Sequence, residues 1–320
     1  MRNRRKYSFL FFILLACLSF QVSAQQGEVR NIILFIGDGM GPEQVRAAGM
    51  YLYGEEGTLC FESFPFQGEV TTYSANSDRT DSAASATAMA TGQKVNNGVI
   101  AVAIPGDGGE LKTVLEYYSS LGKSTGLVTR TYMTHATPAA FGAHESSRGN
   151  VTEIGLDYFT ETRPTLLFGG GGLGVSRDLA LANGYTVVTT ETEMNSLVYT
   201  TGLKVSAQFG TGHMPYESVM KPGIPTLEEM TATALEILEN NSKGFFLLVE
   251  GGRIDHACHA NNLNDTVLET VAFHDAVAYA EQWAARRSDT LLLVTADHET
   301  GGLTVVNNNG KGNLPGVTWS

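Results

Sequence analysis

Cysteine is scarce in this chain. Its 320 residues include three, Cys17, Cys60 and Cys258. That number excludes a disulfide framework. An apolar core must therefore hold the fold, and a chain this long can bury one. Positive charge is also in short supply. Lys and Arg number 21 against 33 Asp and Glu, a formal net charge of −12 at pH 7. This balance excludes nucleic acid as a partner. It leaves a phosphate substrate open, because a bound metal reverses the local field. Internal repeats and long linkers are lacking as well.

The longest apolar run, YSFLFFILLACLSF, is too short for a comfortable membrane span. It follows a basic start, MRNRRK, and precedes a small-residue cleavage site, VSA, ending at Ala24. This is the pattern of a signal peptide. Residues 1–24 are therefore expected to direct export to the periplasm or the medium. Their removal leaves no stable membrane span in the mature chain. Cys17, within LLAC, offers a lesser alternative as a lipoprotein anchor. Residues 1–24 hold four basic residues and no acidic ones, so the remainder carries 17 against 33, a net of −16.

What the chain does have is a series of apolar runs of strand length. They are NIILFIG from Asn31, STGLVT from Ser124, PTLLFGG from Pro164, GFFLLVE from Gly244 and TLLLVTA from Thr290. Continuous apolar runs bounded by glycine suit strands buried on both faces. Helical patterns lie between them. TVLEYYSSLG ends in Gly122, a C-cap signal. TLEEMTATALEILEN begins at Thr226 with Glu229 three residues on, a capping box. A long amphipathic stretch, NDTVLETVAFHDAVAYAEQWAARR, follows. The alternation predicts an α/β domain over residues 25–320, with a mostly parallel central sheet flanked by helices on both faces. Residues from about 170 to 225, rich in glycine and turn formers, read as an insertion of loops and short elements.

Ligands of an open α/β sheet bind beyond the carboxyl ends of its strands. Three of these runs end in acids: Asp38 after NIILFIG, Glu250 in GFFLLVE, and Asp297 beside His298 after TLLLVTA. Gathered at one edge, such carboxylates repel unless cations sit among them. Asp255 and His259 are four apart and share a face if their segment is helical. A lone strand-end acid is commonly a helix cap, and a lone surface histidine is commonly just solvated. Several acids with coupled histidines point to metal. Imidazole with carboxylate suits zinc, and all-oxygen ligands suit magnesium. His135, Thr137 and Arg148, after the run at Ser124, can reach the same edge. Arg148 reads either as an ordinary surface cation or as a bidentate fork for phosphate.

RTDSAASATAMATGQK, from Arg79 to Lys94, predicts a helix of small residues ending at Gly92 and opening on Asp81-Ser82. A serine at a helix N-terminus lies in a positive field. It becomes a nucleophile if a metal lowers the cost of ionising its hydroxyl. Otherwise it is a plain cap.

With these residues assembled, the chain resembles the alkaline phosphatases from about residue 28 to its last residue. NIILFIGDGMG, TDSAASATAMATG, THATPAAFGAH, GHMPYE, GFFLLVEGGRIDHACH and VTADHETGG stand in family order. The resemblance implies hydrolysis of phosphate monoesters through a phosphoserine at Ser82, with two zinc ions and one magnesium ion. It implies that Asp38, Asp297 and His298 hold the zinc that activates Ser82. It places Asp255 and His259 on the second zinc, and Asp38, Thr137 and Glu250 on magnesium. Arg148 would grip the phosphate and Asp81 would orient it, with His135 and His256 standing behind the ligands. A homodimer is the family's common form. The family's third histidine for the second zinc follows the segment matching GVTWS, so the chain is expected to lack it, together with the last strand and final segment. The alternatives are a phosphodiesterase or sulfatase of the same superfamily, or an inactive phosphate-binding fragment.

Overall fold

The computed structural model describes residues 28–320. The expected leader at 1–24, with Cys17, lies outside the described residues. The strands are β1 (Asn31–Gly37), β2 (Ser124–Tyr132), β3 (Leu166–Gly171), β4 (Thr186–Val188), β5 (Val205–Thr211), β6 (Phe245–Glu250), β7 (Thr290–Ala296), β8 (Thr304–Asn307) and β9 (Gly316–Thr318). The first seven form one sheet in the order β4-β5-β3-β2-β6-β1-β7. Every pairing in it is parallel. The last two form an antiparallel pair.

Helices cover both faces of the sheet, as the alternating pattern predicts. They are α1 (Pro42–Tyr53), α2 (Ser82–Thr91), α3 (Val114–Ser120), α4 (Ala136–Gly142), α5 (Val151–Thr160), α6 (Arg177–Ala182), α7 (Glu191–Asn195), α8 (Leu227–Leu238), α9 (Arg253–His259) and α10 (Leu263–Ala284). Phe245, Leu247 and Val249 of β6 point into one core with Phe273 of α10 and Leu235 of α8. Phe246 and Leu248 point into the other with Phe141, Phe159 and Ala86. That split explains why β6 reads as an unbroken apolar run: both of its faces are buried. Thr226 and Glu229 close the capping box of α8. Among the described residues no helix is long and apolar enough to cross a membrane.

Two expectations need correction. TLLLVTA is not buried on both faces. It forms β7 at the edge of the sheet, and Leu291 and Leu293 are 40% and 42% exposed. The stretch from 170 to 225 is not set apart from the sheet either. It supplies β4 and β5, which extend the sheet beyond β3. β5 alternates buried apolar Val205, Ala207 and Phe209 with buried polar Ser206 and Gln208, and β4 has three residues. Neither gives a strong apolar run. Gly170 serves close packing: a Cβ there would fall 1.8 Å from the Gly212 carbonyl oxygen.

Candidate active site

The strand order places the acids side by side. β6, β1 and β7 are neighbours, with Ile36 opposite both Glu250 and Thr295. Asp38 and Asp297 leave β1 and β7 one residue past their ends, while Glu250 is the last residue of β6. All three are fully buried. Gly39 N–H and His298 N–H donate to Asp297 Oδ1 at 3.0 and 2.9 Å, which holds that carboxylate in place.

α2 brings Ser82 to this edge. Asp81 is its N-cap and accepts from Ala84 N–H at 3.0 Å. Gly92 closes the helix in the left-handed conformation at φ 75°. The alanines at 83, 86 and 90 let it pack against α4. Ser82 is the first residue of the helix, where the N-terminal field is strongest. Its Oγ donates to Asp38 Oδ1 at 3.3 Å and lies 3.4 Å from His298 Nε2.

The His298 tautomer follows from its other nitrogen. Nδ1 lies 3.1 Å from the Glu299 carbonyl oxygen, which can only accept. Nδ1 therefore carries a proton, and Nε2 is the ring nitrogen that faces Asp38, Asp297 and Ser82. His298 Nε2 lies 3.3 Å from Asp297 Oδ2 and 3.6 Å from Asp38 Oδ1. The approach to Asp297 lacks hydrogen-bond geometry, so Oδ2 stays without a partner. One ligand atom each from Asp38, Asp297 and His298 lies within 4.8 Å of the others, a spacing that fits one cation.

Asp38, His135 and Glu250 form a second group with the same reach. His135, expected behind the ligands, offers a ring nitrogen within this reach from its place as the N-cap of α4. Glu250 Oε2 accepts from the hydroxyl of Thr129 and, at 3.4 Å, from that of Thr131, while Oε1 has no partner. Asp38 Oδ2, Asp297 Oδ2, Thr137 Oγ1 and His135 Nδ1 are likewise buried without partners. Burial pushes the Glu250 carboxyl up to about 7. Burial first, then the charges of Asp297, Asp255 and Glu250, holds Asp38 well above the usual carboxylate range. Such a set, left without a cation, resists full ionisation. Orphaned oxygen and nitrogen atoms converging on two points fit metal ions.

Asp255 and His259 share one face of α9, with His259 Nε2 3.4 Å from Asp255 Oδ1. The His259 side chain is 71% exposed. Among the described residues no third His, Cys, Asp or Glu joins this pair within the reach that defines the other groups. His256, on the same helix, is engaged by Arg253. Its Nδ1 accepts from Arg253 at 3.1 Å.

Arg148 is held from two sides. One guanidinium nitrogen donates to Asp81 Oδ2 at 3.1 Å and another to His135 Nε2 at 3.1 Å. Its own N–H donates to the Gly98 carbonyl at 2.7 Å. Ser82, Asp81, Arg148, His135, Asp255, His256, His259 and His298 line one open cleft of about 690 Å³. A second cleft of about 640 Å³ surrounds Arg30, Asn31 and Asp289, at the opposite ends of the strands. Arg30 and Asp289 are paired there. The residue that sequence reasoning passed over is His213, within GHMPYE. Its ring centroid lies 4.4 Å from that of His256 and 5.6 Å from that of His135. Only its place in a shared motif signals it.

The family model described as alkaline phosphatase matches residues 29–162 and 174–315. Alkaline phosphatase 3 of Bacillus subtilis is 38% identical over 297 residues, covering 88% of this chain and 63% of that protein. Alkaline phosphatase 4 of the same organism is 36% identical, with 65% of its length covered. The chain thus spans just under two thirds of the length of these two relatives. The Escherichia coli alkaline phosphatase is 34% identical over 330 residues, with 84% of this chain and 70% of that protein covered. Among solved structures, alkaline phosphatase from the Antarctic bacterium TAB5 superposes with a TM-score of 0.78 at 32% identity, covering 92% of this chain and 87% of that one. The cold-active enzyme of Shewanella sp. gives 0.75 at 35% identity, covering 88% and 71%. A variant of the TAB5 enzyme is described with magnesium bound in its M3 site. The fold, the edge of acids around Ser82 and this similarity over most of the chain agree: the chain belongs to the alkaline phosphatase family.

Proposed function

We propose that the chain hydrolyses phosphate monoesters with the aid of metal ions, through a phosphoserine at Ser82. The observation that carries this reading is the set of buried, unpartnered carboxylate oxygens converging beside the Ser82 hydroxyl. Asp38, Asp297 and His298 would hold one zinc ion, and Asp255 and His259 would be ligands of a second. Asp38, Glu250 and Thr137 would hold magnesium, with His135 as a further ligand.

Bound there, such ions would lower the cost of the alkoxide and stabilise attacking and leaving oxygens. The rest falls to the chain's own groups. Ser82 Oγ gives up the proton it shares with Asp38 Oδ1 and forms a bond to phosphorus as the ester oxygen leaves with its electron pair and takes a proton. Water then breaks the Oγ–P bond, returning serine and releasing inorganic phosphate. Arg148, aimed by Asp81, binds the non-bridging oxygens. A neutral His135 has one lone pair, so it serves Arg148 or a cation, not both. Ligation by His135 therefore frees one guanidinium nitrogen for phosphate.

Metal analysis combined with an assay on mono- and diesters tests the reading. The expected result is turnover of the monoester, and acid quenching that traps phosphate on the peptide containing Ser82. Faster turnover of a diester or sulfate ester, or phosphate binding without turnover in metal-replete protein, overturns it. The reading extends to one catalytic domain over 25–320, export through residues 1–24 and a homodimer. These rest on the leader-like pattern and on family resemblance, and are checked by fractionation and sedimentation.

A further inference from the structure

The loop after β7 holds a threonine whose hydroxyl touches both candidate zinc sites. Thr300 Oγ1 lies 2.6 Å from Asp255 Oδ1 and 3.2 Å from His298 Nδ1. The residue is buried and clamped through its backbone. Its N–H donates to the Gly39 carbonyl at 3.2 Å, and its carbonyl accepts from Gln44 Nε2 at 2.8 Å. Gln44 is itself fully buried on α1. The hydroxyl is thus held in place and is not a turn former facing water.

The direction of each contact is fixed by proton count. A hydroxyl has one proton and two lone pairs, and a carboxylate can only accept. The Thr300 proton therefore goes to Asp255. The contact with His298 must then be Nδ1–H donating to Thr300. The Glu299 carbonyl requires the same protonated Nδ1, independently. The result is a relay, His298 Nδ1–H to Thr300 Oγ1–H to Asp255 Oδ1. One end shares the His298 Nδ1 proton with the Glu299 carbonyl and so orients the ring with Nε2 beside Ser82. The other end holds the Asp255 carboxylate next to His259.

We propose that Thr300 is a positioning residue that joins the two zinc sites, an inference that rests on the preceding reading of those sites. Its hydroxyl makes ligand geometry at either site depend on the other. Partners behind metal ligands typically change affinity by about 10–100-fold when lost.

The test measures zinc affinity of the full chain by competition with a chromophoric chelator. Thr300→Val, which keeps the shape and removes the hydroxyl, should weaken both binding steps by about 10–100-fold. Thr300→Ser should stay close to wild type. The proton placement is checked on the unmodified protein by ¹⁵N spectroscopy of the zinc-loaded histidines, with His298 expected to be protonated at Nδ1. Wild-type affinity in Thr300→Val, loss at one site alone, or equal loss in Thr300→Ser and Thr300→Val overturns the inference. So does a His298 protonated at Nε2, whether or not the valine variant folds. A wild-type chain that takes up no zinc sinks the reading of the site itself, and the inference with it.

Discussion

The two candidate zinc sites are built in opposite ways. Asp38, Asp297 and His298 come from the ends of neighbouring strands and from the turn beyond β7, with both carboxylates fully buried. Asp255 and His259 come from a single seven-residue helix, and His259 is mostly exposed. The sheet spaces the first set rigidly, because parallel pairing dictates where each strand ends. The second set depends on helical spacing and on the Thr300 hydroxyl that holds Asp255, with an exposed side chain at its rim. Rigid, buried ligands lose less freedom on binding, so the first site should be the tighter.

The sharpest way to break this comparison is to separate ligands from nucleophile. Ser82→Ala should retain both metals while kcat falls by at least about a thousandfold, or about 4 kcal/mol. A residue of activity from direct attack by water is expected. Normal turnover in this variant would remove Ser82 from the chemistry altogether.

The next effect belongs to the tight site. Asp297→Asn keeps an acceptor for Gly39 and His298 N–H but loses the free oxygen, and should weaken zinc by about a hundredfold or more. His259→Asn, at the looser site, should cost about tenfold, with turnover recovered in excess zinc. Calorimetric titration of the two variants decides the order. Equal losses would erase the distinction drawn above.

A smaller effect concerns pH. Glu250 is pushed up to about 7 by burial, from an ordinary value of 4.5. Its contribution to stability is therefore complete below pH 4.5 and lost as pH rises through 7. A cation that accepts the ionised form cancels that loss. The melting temperature of the metal-loaded chain should pull away from that of the metal-free chain between pH 5 and pH 8, by several degrees for roughly 1–3 kcal/mol. A constant gap in thermal scans would show that the strand-end acids need no cation.

The smallest effect lies outside the metal edge, on the segment that carries Arg148. Burial alone would lower His144, but the Glu116 carboxylate 3.2 Å from its Nε2 and the Ala101 carbonyl 3.0 Å from its Nδ1 together carry it up to about 9. Glu110 adds to this, and Asp157 accepts from the His144 backbone N–H at 2.9 Å. The stabilisation is present below pH 6.5 and is lost as pH rises through 9. In metal-loaded protein His144→Gln should flatten stability between pH 7 and pH 10 by about 1 kcal/mol, read from denaturant midpoints. An unchanged slope would assign it to other groups.

Much of this is legible in the sequence. Apolar runs of strand length at 31, 124, 164, 244 and 290 became β1, β2, β3, β6 and β7; the first four are buried among neighbours and need no polar face. Thr226 with Glu229 and Gly92 marked helix ends through local chemistry. β5 was illegible, since Ser206 and Gln208 interrupt its pattern even though both are buried. The open face of β7 was illegible too. A run such as TLLLVTA looks the same at an edge as at the centre.

What the sequence alone determined is what spacing carries: strands ending in Asp38, Glu250 and Asp297, a helix opening on Asp81-Ser82, and Asp255 one helical turn from His259. What the tertiary structure decided is which of these meet. Strand order made β6, β1 and β7 neighbours. It brought Ser82 within reach of His298 across 216 positions, put His135 beside Asp38 and Glu250, and set Thr300 between Asp255 and His298. The physical reason is range. Propensity and periodicity act over a few residues, while side-chain contacts at a sheet edge depend on how distant strands order themselves around a shared core.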